Sequence, residues 1–262
     1  VFAGAMVVGF ANGMVATIHR SIQSEGLGPA VVNTFGVSAI VWCAFCIGIM
    51  KIQGEGKTPM SRRDLTVVAL SAMGFLLPMS ELSWCTLTAL SLYVLWTSPR
   101  NSWARKGAVI VGAATFPLFW SKVIFSLFSG PILRADAAMV SAMTGLSRTG
   151  NTIELAGGYG ALWLAPACSS FANLSLTVLC WTVCMQFVRE TRSVALLWAW
   201  CGVACLVVVL INVIRISLMA FRPDYYDLIH GAVGAGIAGW LTTIAIVGIC
   251  IFGLHDEGVS IG

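Results

Sequence analysis

A chain of 262 residues that is 58% hydrophobic and only 10% charged departs from soluble domains, which are roughly 45–50% apolar and about 25% charged. Its mean hydropathy of +0.89 leaves too little polar surface to wet a globule, which excludes a soluble enzyme, a disordered protein and a nucleic-acid-binding module. The formal net charge of +4 is spread over short loops and therefore speaks to orientation in a bilayer rather than to nucleic acid.

Taken in chain order, the apolar runs predict a polytopic, all-α membrane helical bundle. The sequence begins at Val1 inside an apolar run, without a Met or a basic leader region, so its start is read as upstream or processed. A first span is expected at about 1–18, ended by His19 and Arg20, and a second at about 28–50, ended by Lys51. A polar loop with Lys51, Lys57, Arg62 and Arg63 follows. Residues 65–96 are mostly apolar but are interrupted by Pro78, Ser80 and Glu81. They form either one long broken helix or two short ones turning at Pro78–Glu81. After a loop with Arg100, Arg105 and Lys106, a further span is expected at about 107–129, then spans at about 166–188, 193–214 and 229–252.

Positive residues in short loops mark the cytoplasmic side. The loops 51–64, 97–106 and 189–192 hold four, three and two Lys/Arg, which is nine of the fifteen in the chain. All three can be cytoplasmic only if 65–96 leaves and returns, which favours two helices there. The count becomes about eight transmembrane helices in one membrane-embedded domain, 1–262, with both termini inside. Residues 130–164 then form an extracytoplasmic segment. Its first part, 134–147, has helical spacing, and its second, 151–164, reads as a hairpin around Gly157–Gly158.

Charged groups in or beside membrane spans are costly and point to function. Cys168 opens the span 166–188 directly after Pro166, Arg215 closes the span 193–214, and His230 opens the span 229–252. Because these helices run inward, outward and inward, all three residues are expected at one level, the outer interface. A thiol attacks as its thiolate, which a helix N-terminus and a neighbouring imidazole both favour. His230 can return the proton to a leaving amine. Arg215 stays protonated and can hold an oxyanion or a substrate carbonyl. Ser169 and Ser170 add hydroxyls and backbone N–H groups beside the thiol. Together these residues describe an acyl-transfer site.

Three blocks carry a resemblance. Ala165-Pro166-Ala167-Cys168-Ser169-Ser170, Asn212-Val213-Ile214-Arg215-Ile216 and Ile229-His230-Gly231, with Gly150-Asn151-Thr152-Ile153 before them, resemble in order and spacing the signature blocks of the exosortase/archaeosortase family. The likeness covers roughly residues 130–250. It implies a membrane-embedded cysteine protease or transpeptidase that cleaves the C-terminal sorting signal of a secreted, membrane-anchored client at the outer face of the cytoplasmic membrane. By the same resemblance Cys168 is the nucleophile, Arg215 the oxyanion or substrate-orienting cation and His230 the acid/base, with Ser169, Ser170 and Asn212 toward the substrate. One departure is Ser170, where the family usually has Gly. It leaves the nucleophile intact and bears on the substrate subclass.

Two other classes compete. A membrane thiol oxidoreductase would use Cys43-Ala-Phe-Cys46 or the i, i+4 pairs Cys180/Cys184 and Cys201/Cys205, although eight of the nine cysteines lie in apolar stretches, where they pack as small hydrophobes. A transporter or non-catalytic membrane subunit would ordinarily carry ionisable groups near the midplane, and after residue 107 the spans are nearly free of them except for Lys122. No cofactor and no metal site are expected, since His19, His230 and His255 stand on separate elements.

Overall fold

The structure is a computed structural model and describes residues 1–55, 59–158, 160–188 and 193–255. Lys57, Arg189 and Arg192, which enter the orientation argument, lie outside the described residues, as does Tyr159 of the hairpin. The chain divides into two compact units, Val1–Trp120 and Ser121–Gly262.

The first unit is helical throughout. Helix α1 (Phe2–Glu25) is followed by α2 (Leu27–Val32), a 3-10 turn at Thr34–Gly36 and α3 (Ala39–Gly54). The span expected at 28–50 is therefore broken. Thr34 and Phe35 take φ values of 51° and 56° and Gly36 one of 70°, a left-handed run that no helix can continue through. Ser38 restarts the helix, its Oγ accepting from Ile40 N. Residues 65–96 are two helices, α4 (Arg62–Leu76) and α5 (Ser80–Thr97), with Pro78 in the break. Asn12 of α1 satisfies groups freed there: its amide donates to Leu77 O (2.9 Å) and to Ser83 Oγ (2.8 Å). A capping box between Ser61 and Asp64 starts α4.

Helix α6 (Trp103–Thr115) packs on α3 and α5. A Cβ on Gly107 would lie 2.5 Å from Gly48 O, so α3 and α6 meet backbone to backbone. The core of the unit centres on Phe10, stacked on Phe45 at 3.8 Å and edge-on to Trp84 at 5.7 Å. A π-helical turn at Phe116–Trp120 ends the unit. It contains Pro117, which has no N–H for the α-helical ladder.

The second unit begins with α7 (Ser121–Thr144). Its backbone kinks at Phe128 (φ −121°, ψ 19°), three residues before Pro131, whose ring excludes the carbonyl of the preceding turn. Residues 134–147, whose spacing reads as helical within the extracytoplasmic segment, belong largely to this helix. A three-stranded antiparallel sheet follows: β1 (Arg148–Thr149), β2 (Thr152–Glu154) and β3 (Ala161–Trp163), in the order β1-β2-β3. Ile153 pairs with Leu162, and both turn inward. Gly150 (φ 64°) makes the first turn, while Gly157 (φ 84°) and Gly158 (φ 75°) lie in the second.

A 3-10 turn at Pro166–Cys168 leads to α8 (Phe171–Met185), then α9 (Val194–Phe221), a 3-10 turn at Pro223–Tyr225, α10 (Tyr226–His230) and α11 (Ala232–His255). Helices α8, α9 and α11 pack on one another, and α7 packs against α8 and α9. One apolar core joins α7 (Leu133, Ala137, Val140), the sheet (Ile153, Leu162), Cys168 and α9 (Val213, Ile216).

The protein is thus an all-α membrane protein with one small sheet. Among the described residues, four helical stretches are long and apolar enough to cross a membrane: Phe2–Glu25, Trp103–Thr144, Ala195–Phe221 and Val233–Gly253. Ala39–Gly54 and Phe171–Met185 are apolar but shorter. At about 1.5 Å per residue a 15-residue helix reaches only about 22 Å, against a hydrocarbon core of about 30 Å.

Candidate functional site

The residues singled out in the second unit are positioned by one helix, α9. Its Asn212 is buried, and its Nδ2 donates to the Cys168 carbonyl oxygen at 2.8 Å and to Ser170 Oγ at 3.1 Å. One turn further along α9, Arg215 is half-buried. Its Nε and Nη2 both point at the carbonyl oxygen of Ile229, each at 3.4 Å. Residues three apart on a helix share a face, so a single turn of α9 holds the Cys168 segment by its backbone and reaches the residue next to His230.

Cys168 itself is 8% exposed and sits in the core cluster beside Val213 and Ile216. It was expected in the first turn of a helix, but it closes the 3-10 turn at Pro166–Cys168, three residues before α8 begins. The place at the start of α8 belongs to Asp136 of α7, which is only 3% exposed. Asp136 Oδ2 accepts from Ser169 Oγ (2.8 Å) and from Ser170 N (3.3 Å), and its Oδ1 accepts from Ser170 Oγ (2.9 Å). Ser169 Oγ in turn accepts from Phe171 N. A carboxylate at a helix N-terminus is favoured by the helix dipole, and each of these bonds satisfies a donor that burial would otherwise leave costly.

Ser169, Ser170 and Asn212 are all buried and satisfied inside this network. Here they position the Cys168 segment rather than face open space. Asp136 was missed in the sequence because it lies 33 residues before Ser169 in a stretch that reads as a polar surface segment.

His230 ends α10 and is exposed, with its ring stacked on Tyr226 at a centroid distance of 5.0 Å and an interplanar angle of 9°. Tyr226 and Ile229 pack against the core that contains Cys168. The turn from α10 into α11 is tight. A Cβ on Gly234 would stand 2.2 Å from Ile229 O, the oxygen that Arg215 approaches. Among the described residues no hydrogen bond joins the Cys168 thiol, the Arg215 guanidinium and the His230 imidazole directly to one another.

Two cavities adjoin these groups. An apolar groove of about 410 Å³ runs between α9 and the α10–α11 segment, with Ile211, Ile214 and Arg215 on one wall and Ile229, Val233 and Ile237 on the other. A second, of about 510 Å³, lies between the edge strand β3 (Ala161, Leu162, Trp163) and Pro223, Tyr226 and Asp227. Arg215 lines the first cavity and Tyr226, on which His230 stacks, lines the second.

No family model, no curated protein and no solved structure matches the chain.

Proposed function

We propose that this chain is an exosortase-like cysteine peptidase or transpeptidase of the cytoplasmic membrane, working at the extracytoplasmic face on the C-terminal sorting signal of a membrane-anchored client. The observation that carries the reading is the pair of contacts from one turn of α9, Asn212 to the Cys168 carbonyl and Arg215 to the Ile229 carbonyl. They gather the blocks that hold the thiol, the cation and the imidazole around one helix.

In this reading about eight helices embed in the bilayer, with α8 reaching the outer interface through the 3-10 turn before it. Side chains of the client's anchor helix occupy the apolar groove beside Arg215. The extended peptide above the anchor adds to the free edge of β3, a register fixed by main-chain hydrogen bonds, and passes Tyr226 and His230.

The Cys168 thiol gives up its proton to His230, and the thiolate attacks the scissile carbonyl. Arg215 turns from Ile229 O to the tetrahedral oxyanion, a charge-assisted contact stronger than the one it leaves. The C–N bond then breaks, and His230 delivers the proton to the departing amine, leaving a thioester on Cys168. A second amine or water attacks the thioester carbonyl and restores the thiol.

The test is processing of a co-expressed client by Cys168→Ala, His230→Gln and Arg215→Lys, with Cys85→Ala as a control. Cys168→Ala abolishes cleavage at unchanged expression, His230→Gln and Arg215→Lys lower it by about 100-fold or more, and Cys85→Ala leaves it unchanged. Cleavage by Cys168→Ala at the normal rate overturns the assignment.

A further inference from the structure

At the other end of α8 a second cluster of thiols forms. Cys180 and Cys184 are four residues apart, and so lie on one face of the helix, while Cys250 comes from the last two turns of α11. The three sulfurs lie within 4.8 Å of one another. Cys250 is fully buried and Cys180 and Cys184 are half-buried, all as free thiols. Among the described residues no imidazole or carboxylate joins the group.

We infer that Cys180, Cys184 and Cys250 form a binding site for one soft monovalent cation, Cu(I). The donor set argues for it. Three sulfurs on a common metal at about 2.3 Å in a plane stand about 4 Å apart, which the observed spacing reaches with a small side-chain adjustment. Thiolates select soft ions such as Cu(I) and Zn(II). A structural zinc site takes four protein ligands, and this group offers three, the number a trigonal Cu(I) centre needs. Each thiolate that binds releases one proton, and copper stays Cu(I) throughout, so no oxidant is required.

The placement suggests what the ion does. From Phe171 to Cys184 the helix rises roughly 20 Å, so the cluster lies far from Cys168. It joins α8 to α11, the two helices whose opposite ends follow the Cys168 turn and His230. A bound ion clasps the far ends of the helices that carry the proposed nucleophile and acid, and takes no part in the bond-breaking itself.

The site is tested on the full-length protein in detergent, titrated anaerobically with Cu(I) against a chromogenic Cu(I) chelator. Wild type retains one equivalent. Cys184→Ser and Cys250→Ser each weaken retention by about 100-fold or more, since even losing a group that only orients a ligand costs 10–100-fold. Cys201→Ser and Cys168→Ala retain copper as wild type does, so the result is independent of the peptidase reading. In wild type alone, Cu(I) must also shield the half-buried Cys180 and Cys184 from alkylation while leaving the half-buried Cys85 reactive, a readout that does not rely on any variant folding. Failure of wild type to hold Cu(I), retention undiminished in Cys250→Ser, or alkylation of Cys180 and Cys184 undiminished by Cu(I) overturns the site.

Discussion

Asn212 and Cys168 are 44 residues apart in sequence, yet the Asn212 amide donates to the Cys168 carbonyl oxygen at 2.8 Å. The same amide reaches Ser170 Oγ, so one α9 side chain holds the Cys168 backbone and the Ser170 side chain on either side of Ser169. Replacing Asn212 by Ala leaves a buried carbonyl without its donor, at a cost of about 1–3 kcal/mol. The expected outcome is a clear drop in the thermal midpoint together with slower client cleavage, because the thiol is no longer held in place. Asn212→Gln, with the same amide on a longer arm, should recover part of the stability but little of the rate. Thermal unfolding and processing assays on both variants check this.

Ser170 is the buried hydroxyl that links Asp136 of α7 to Asn212 of α9. Its hydroxyl donates to Asp136 and accepts from Asn212. Ser170→Gly removes both contacts but leaves Cys168 untouched, so the variant should lose about 1–2 kcal/mol of stability while still cleaving. Asp136→Ala strands two serine hydroxyls and one backbone N–H at once and should cost more than Ser170→Gly. A double-mutant cycle between positions 136 and 170 should give a coupling of about 0.5–3 kcal/mol, and a coupling near zero would contradict the network.

These two sites also mark the limits of the sequence. The break in residues 65–96 was legible because Pro78 cannot continue a helix. The hairpin was legible from Gly157–Gly158 between apolar alternations. Asp136 was not, because its value lies in serines 33 and 34 residues away that only the packed α7–α8 contact brings near. The split of the second span was equally hidden: Thr34 and Phe35 enter the left-handed region without a glycine of their own to announce it. Cys180 and Cys184 read as small packing residues until Cys250 arrived from α11. Local turn chemistry is written in a few adjacent residues, whereas these features depend on contacts between distant ones.

Gly234 lies where α11 begins, and a Cβ there would meet Ile229 O at 2.2 Å. Gly234→Ala must displace the carbonyl that Arg215 approaches, so cleavage should fall at least as far as overpacking costs, about 1–3 kcal/mol or roughly 5–150-fold. Gly236→Ala meets nothing within 4 Å and should cleave normally. Equal activity of the two variants would show that the α10–α11 turn does not set the geometry.

The Asp64 carboxyl is held below its ordinary value, first by the Tyr93 hydroxyl (2.7 Å) and then by the Ser61 backbone N–H (2.8 Å). A lowered carboxylate stabilises the fold at every pH above its unfolded value of about 3.9 and loses that effect as pH falls through the folded value. The stability gap between wild type and Asp64→Asn should therefore be constant from pH 7 to pH 5 and close below about pH 4. Thermal unfolding over that range, with Tyr93→Phe narrowing the gap, measures it.

The central claim is that Cys168 carries the acyl group. The most direct measurement is mass spectrometry of the chain isolated from membranes with its client after rapid acid quench, which preserves thioesters. The account predicts a client-derived, hydroxylamine-labile acyl adduct on the peptide containing Cys168, absent from Cys168→Ala. An adduct on another cysteine, or turnover with Cys168 free of any adduct and dispensable, would contradict it.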